Sequence, residues 1–110
     1  MVDGVSIVGG SNVNVYNNII GDLRTPSSSL SNPIVGINAI GAATSVIKVD
    51  YNTVVLNGAS TGALFGSSAL AVSATPTTPV VVRNNIFVNN SSVMGAGLAA
   101  AIRANDATAS

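Results

Sequence analysis

Short runs of β-branched residues recur along this chain, alternate with polar positions, and break into stretches of Gly, Ser, Asn and Pro. Val46-Ile47-Lys48-Val49-Asp50 and Val80-Val81-Val82-Arg83 carry the two-residue period of half-buried strands, and each runs into an Asn-containing turn. Beyond the turn lie Ile19-Ile20, Thr53-Val54-Val55-Leu56 and Ile86-Phe87-Val88, which also predict strands. Turn-rich segments follow at 21–33, 57–67 and 89–97, and each leads into a further apolar segment at 35–40, 68–72 and 98–102. The pattern therefore predicts three short strands per unit and connecting loops that leave from one side. The last segment, 95–104, is rich in Ala and is compatible with either a strand or a short capping helix.

The units are copies of one another. Val15-Tyr16-Asn17-Asn18-Ile19-Ile20, Val49-Asp50-Tyr51-Asn52-Thr53-Val54 and Val82-Arg83-Asn84-Asn85-Ile86-Phe87 repeat one phrase, with Asn18, Asn52 and Asn85 spaced by 34 and then 33 residues. Ile37 and Leu70 each lie 15 residues before the next repeated Asn. Ankyrin and tetratricopeptide arrays share such periods, but they need helices, and these segments are Val, Ile and Asn with no Glu or Gln anywhere in the chain. A β-sandwich gives no reason for one phrase to return at a fixed interval. A β-solenoid does, because equivalent positions of successive coils stack about 4.8 Å apart and identical side chains form ladders. Asn18, Asn52 and Asn85 are expected to form an internal ladder in which each buried amide bonds backbone and its neighbour. Val15, Val49 and Val82, and likewise Ile20, Val54 and Phe87, are expected to form apolar stacks inside.

The three phrases resemble the short turn between second and third strands of right-handed parallel β-helix proteins, the group that includes pectate-lyase-like folds and bacterial surface or autotransporter passengers. The resemblance covers residues 1–104. It implies an all-β, right-handed parallel β-helix of about three coils of roughly 33 residues with three short strands each. Residues 105–110 read as a disordered tail. The resemblance also implies an exported protein, extracellular or at the cell surface. No signal-like or membrane-spanning run is visible, so the chain reads as a section flanked by further coils of a longer parent.

Composition then narrows the function classes. Four acidic residues balance four basic ones, so no basic stripe is available to a nucleic acid backbone. His, Cys, Glu, Gln and Trp are absent, which argues against zinc, thiol and imidazole chemistry and gives no reason to expect a metal or cofactor. Enzymes of the resembled fold that act on acidic polysaccharides are expected to set carboxylates or a calcium site on the outer face of the first strand. Gly36, Asn38 and Ile40, then Ala69, Ala71 and Ser73, are expected there, with no carboxylate among them. Acid–base work on a glycosidic bond needs two carboxyl groups near each other. Catalysis within this chain is not expected.

Tyr16, Asp50 and Arg83 stand two residues before each repeated Asn, where alternation turns them outward and stacking sets Asp50 beside Arg83, with Lys48 on the same face. They read either as a small ligand-binding site or as a solubilising ion pair between strands, worth about 0–1 kcal/mol. The two Phe and two Tyr look too few and too scattered for an aromatic platform. Asp22 and Arg24 read as solvated loop charges, and the Asn89-Asn90-Ser91-Ser92 run carries two overlapping glycosylation acceptor patterns. The expected function is a non-catalytic structural or adhesive module, with a polysaccharide or cell-surface glycan as partner and self-association through its open ends. The competing expectation is a section of a polysaccharide lyase or glycoside hydrolase whose active site lies outside this chain.

Overall fold

The computed structural model describes residues 1–73 and 79–105. Among these residues ten strands appear in chain order: β1 (Val2–Ile7), β2 (Asn12–Tyr16), β3 (Ile19–Gly21), β4 (Ile34–Ala39), β5 (Val46–Asp50), β6 (Thr53–Leu56), β7 (Ser67–Ser73), β8 (Val81–Arg83), β9 (Ile86–Asn89) and β10 (Ala99–Asn105). Among the described residues there is no helix, so the Ala-rich end is a strand, and it extends through Asn105. The expected tail at 105–110 is corrected at its first residue, Asn105, which belongs to β10; 106–110 fall outside the described residues.

Each strand pairs in parallel with the strand three places on, giving three sheets: sheet I (β1-β4-β7-β10), sheet II (β2-β5-β8) and sheet III (β3-β6-β9). The register follows the sequence repeat, with Val15↔Val49↔Val82 in sheet II and Ile20↔Val54↔Phe87 in sheet III. Ile37, Leu70 and Ile102 align in sheet I. Three stacked parallel sheets in constant register are compatible with a β-solenoid. The interior is a single apolar cluster that includes Val15, Ile37, Ile47, Val49, Val54, Leu56, Phe65 and Leu70.

Sheet I departs from simple alternation. A Cβ added at Gly36 would run into the Val54 side chain, and one at Gly4 would meet Ile20, so both glycines face the interior. Ile37, the next residue along, also belongs to the interior cluster. Two successive inward positions bend the strand, and Ala69-Leu70 repeats the feature one strand on. The expected outer face is corrected accordingly: Gly36 and Ala69 point inward, while Val35 is buried outside the interior cluster and Asn38 bonds outward to Asp3. A period-two reading misses this because it assumes an unbent strand.

The connecting loops stack as well. Ser92 N–H donates to Gly58 O (2.9 Å), Ser60 Oγ donates to Ser28 O (2.7 Å) and Gly58 N–H donates to Ser91 Oγ (3.1 Å). Gly62 lies against Ser28 backbone and Gly97 against Phe65 O with no room for a side chain, which is why these turns use glycine. Phe65, fully buried, anchors the loop side to the core.

Candidate functional site

The repeated phrase builds a corner between sheets II and III. Asn17, Tyr51 and Asn84, one residue before each repeated Asn, hold left-handed backbone with φ of 57°, 57° and 52°. That conformation reverses the chain within two residues and aims the following Asn inward. Asn18, Asn52 and Asn85 then stack. Asn18 Nδ2 donates to Asn52 Oδ1 (2.9 Å) and Asn52 Nδ2 to Asn85 Oδ1 (2.9 Å). The backbone N–H of Asn18 and of Asn52 donates to the same oxygens, at 3.1 and 2.8 Å. Each amide also reaches the carbonyl two residues back, Tyr16, Asp50 and Arg83 in turn, closing its own corner. Asn52 is buried, so this stack is occupied by its own bonds and presents nothing to a ligand.

Tyr16, Asp50 and Arg83 are register partners on neighbouring strands of sheet II. They do not form the expected ion pair: among the described residues the salt bridge is Arg24–Asp22 at 2.5 Å, between two highly exposed loop side chains. Asp50 Oδ1 is covered and lacks a hydrogen-bond partner, while Arg83 and Lys48 are exposed. Asn14 and Lys48 align on the same outer face one step along. The strip thus carries an acceptor and two cations that are not spent on one another.

A carboxylate does occupy the outer face of sheet I, contrary to the sequence expectation. Asp3, in β1, accepts a hydrogen bond from Asn38 Nδ2 (3.0 Å), and its Oδ1 is covered without a partner. First strands are expected only from the apolar segments that follow turn-rich loops, and Val2–Ile7 is not among them. At the far end of the same sheet Arg103 Nη2 donates to Leu98 O (3.0 Å), three strands away from Asp3.

Sequence reasoning also missed a half-buried amide, Asn89, that bridges two sheets. Asn89 Nδ2 lies within bonding distance of Ser67 O, Ser67 Oγ and Ala100 O (3.2, 3.0 and 2.9 Å), and its Oδ1 accepts from Ser91 N–H (3.2 Å). It ties sheet III to sheet I, and its amide is therefore engaged rather than open to glycosylation. Among the described residues no group of three acidic, His or Cys side chains could hold a metal, and no helix is long and apolar enough to cross a membrane. In comparisons with known proteins, no family, no curated protein and no solved structure matches this chain.

Proposed function

We propose that this chain is about three coils of a right-handed parallel β-helix, pectate-lyase-like in its corners, that serves as a non-catalytic structural and adhesive module outside the cell or on its surface. The observation that carries the reading is the ladder: a hydrogen-bonded Asn stack at a 33–34-residue interval builds a rigid rod, and a rod is useful for holding surfaces at a distance. The carboxylates support the non-catalytic part. Asp3 is bonded to Asn38 on sheet I, Asp22 is paired with Arg24 in a loop, and Asp50 stands on sheet II, so among the described residues no two sit together for acid and base work. Glycan contact is assigned to Tyr16, Asp50 and Arg83, whose charges are unpaired with each other.

The proposed partners include further coils at the open end. Asn18 and Asn52 each find the next Asn oxygen, and Asn85 would find its own in a fourth rung. Sheet I has four strands and the other two have three, leaving a step over β8 and β9 lined by Val82, Phe87 and Ile102. A second copy stacked head to tail would seat β1 on β10 and leave a gap one strand wide above that step. Self-association of the isolated chain is therefore weak and concentration dependent in this reading.

One observation favours the second reading, a section of a polysaccharide-cleaving enzyme: Asp3 stands on the outer face where enzymes of the resembled fold keep their machinery. Co-sedimentation with a polysaccharide panel, with and without calcium, while assaying for new reducing ends or unsaturated products, separates the two. Binding without cleavage is the expected result. Cleavage abolished by Asp3→Asn would replace the adhesive reading with the enzymatic one.

A further inference from the structure

The chain contains two tyrosines, and the fold brings them to neighbouring rungs. Tyr16 ends β2 and is the register partner of Asp50; Tyr51 follows Asp50 directly. Both side chains point to solvent, 61% and 63% exposed. Two exposed aromatic rings therefore stand on neighbouring rungs beside Asp50, whose Oδ1 is covered.

Tyr51 is also the wrong residue for its backbone. At the same place in the two other corners stands Asn, which tolerates the left-handed region because its short polar side chain bonds locally. A bulky residue at φ 57° is a steric outlier, and such outliers point toward a functional role when the corner itself does not require them. The corner does not require Tyr51: its ring is exposed, and the turn closes through Asn52 and through Tyr51 N–H donating to Arg83 O (3.2 Å).

We infer that the Tyr16–Asp50–Tyr51 corner is a saccharide-binding edge in which Tyr51 sets specificity by stacking on the C–H face of a neutral sugar ring. The inference rests on the adhesive reading and narrows it to a ligand class. A sugar ring is apolar on its face and rimmed by hydroxyl groups; the exposed Tyr rings match the face and their phenolic hydroxyls meet the rim. Asn17 and Asn84 flank Tyr51 at the neighbouring corners and offer amide groups to the same rim, so the edge runs along the stack. An anionic polymer would instead be held by Lys48 and Arg83 and released by salt.

The test titrates the full chain with dextran, mannan, xylan and polygalacturonate at low salt and at high salt. Wild type is expected to bind a neutral polymer with little salt dependence. Tyr51→Asn should weaken that binding about tenfold, equivalent to about 1.4 kcal/mol, while melting at a higher temperature; Tyr51→Phe should retain it. Tyr16→Ser, at an exposed strand position, provides a second loss-of-binding variant. Equal binding by wild type and Tyr51→Asn would overturn the inference and leave the adhesive reading standing. Binding to none of the polymers would overturn both. Preference for polygalacturonate that high salt abolishes would move the site to Lys48 and Arg83.

Discussion

Val49 and Val82 are the same residue at the same strand position, one rung apart, yet Val49 is fully buried and Val82 is 36% exposed. Leu70 and Ile102 repeat the contrast in sheet I, at 0% and 52%. Val15, at the opposite edge of the same stack, stays buried at 7%, so the exposure is particular to the β8–β10 end and does not come from an edge position alone. The middle of the stack therefore holds most of the stability, and the C-terminal end is a surface with the composition of a core. The apolar groups exposed there include Val82, Ile86 and Ile102.

The largest way to test this contrast is to truncate equivalent core positions. Leu70→Ala should cost about 4 kcal/mol through lost transfer energy and a residual cavity, whereas Ile102→Ala should cost less than half as much. Equal losses in denaturant titrations would mean that the end is as well packed as the middle. Next comes the ladder. Asn52→Leu should cost about 3 kcal/mol, because the Asn18 N–H and Nδ2 groups lose their acceptor together; Asn85→Leu removes the acceptor of the buried Asn52 groups in the same way, and Asn18→Leu, which takes no acceptor from another rung, should cost less.

A smaller effect separates two glycines. Gly36→Ala should cost about 2 kcal/mol because the new methyl meets Val54 and the Ala69 carbonyl, while Gly9→Ala, with open space around it, should change the melting temperature little. The smallest effect has the opposite sign. Tyr51→Asn should stabilise by about 1 kcal/mol or less by relieving a bulky side chain from the left-handed region, read as a higher midpoint in thermal unfolding. A lower midpoint would show that the Tyr51 ring contributes packing beyond what its exposure suggests.

Much of the scaffold was legible because the repeated phrase marks places where one side chain must meet its own copy. Spacing alone aligned Val15 with Val49 and Val82, and Ile37 with Leu70, and the sheets keep that register. Alternation failed where the backbone bends. Gly36-Ile37 and Ala69-Leu70 set two successive residues inward, so Gly36 and Ala69 leave the outer face assigned to them, while Asn38 keeps it and meets Asp3 there, on a face expected to lack a carboxylate. Charge pairing failed for a different reason. Register brings Asp50 and Arg83 to neighbouring strands but does not fix where long side chains end, and their charges stay apart.

The sequence by itself determined the period, the three parallel strands per unit and the identity of the stacked Asn, because each follows from local alternation repeated at a constant interval. Only the tertiary structure decided which faces are buried at the bends, that Asn89 bridges two sheets, that the β8–β10 end differs from the middle, and that Tyr51 holds left-handed backbone with its ring exposed. Those outcomes depend on backbone dihedrals at single residues and on contacts across the stack, and neither is written in the order of apolar and polar positions.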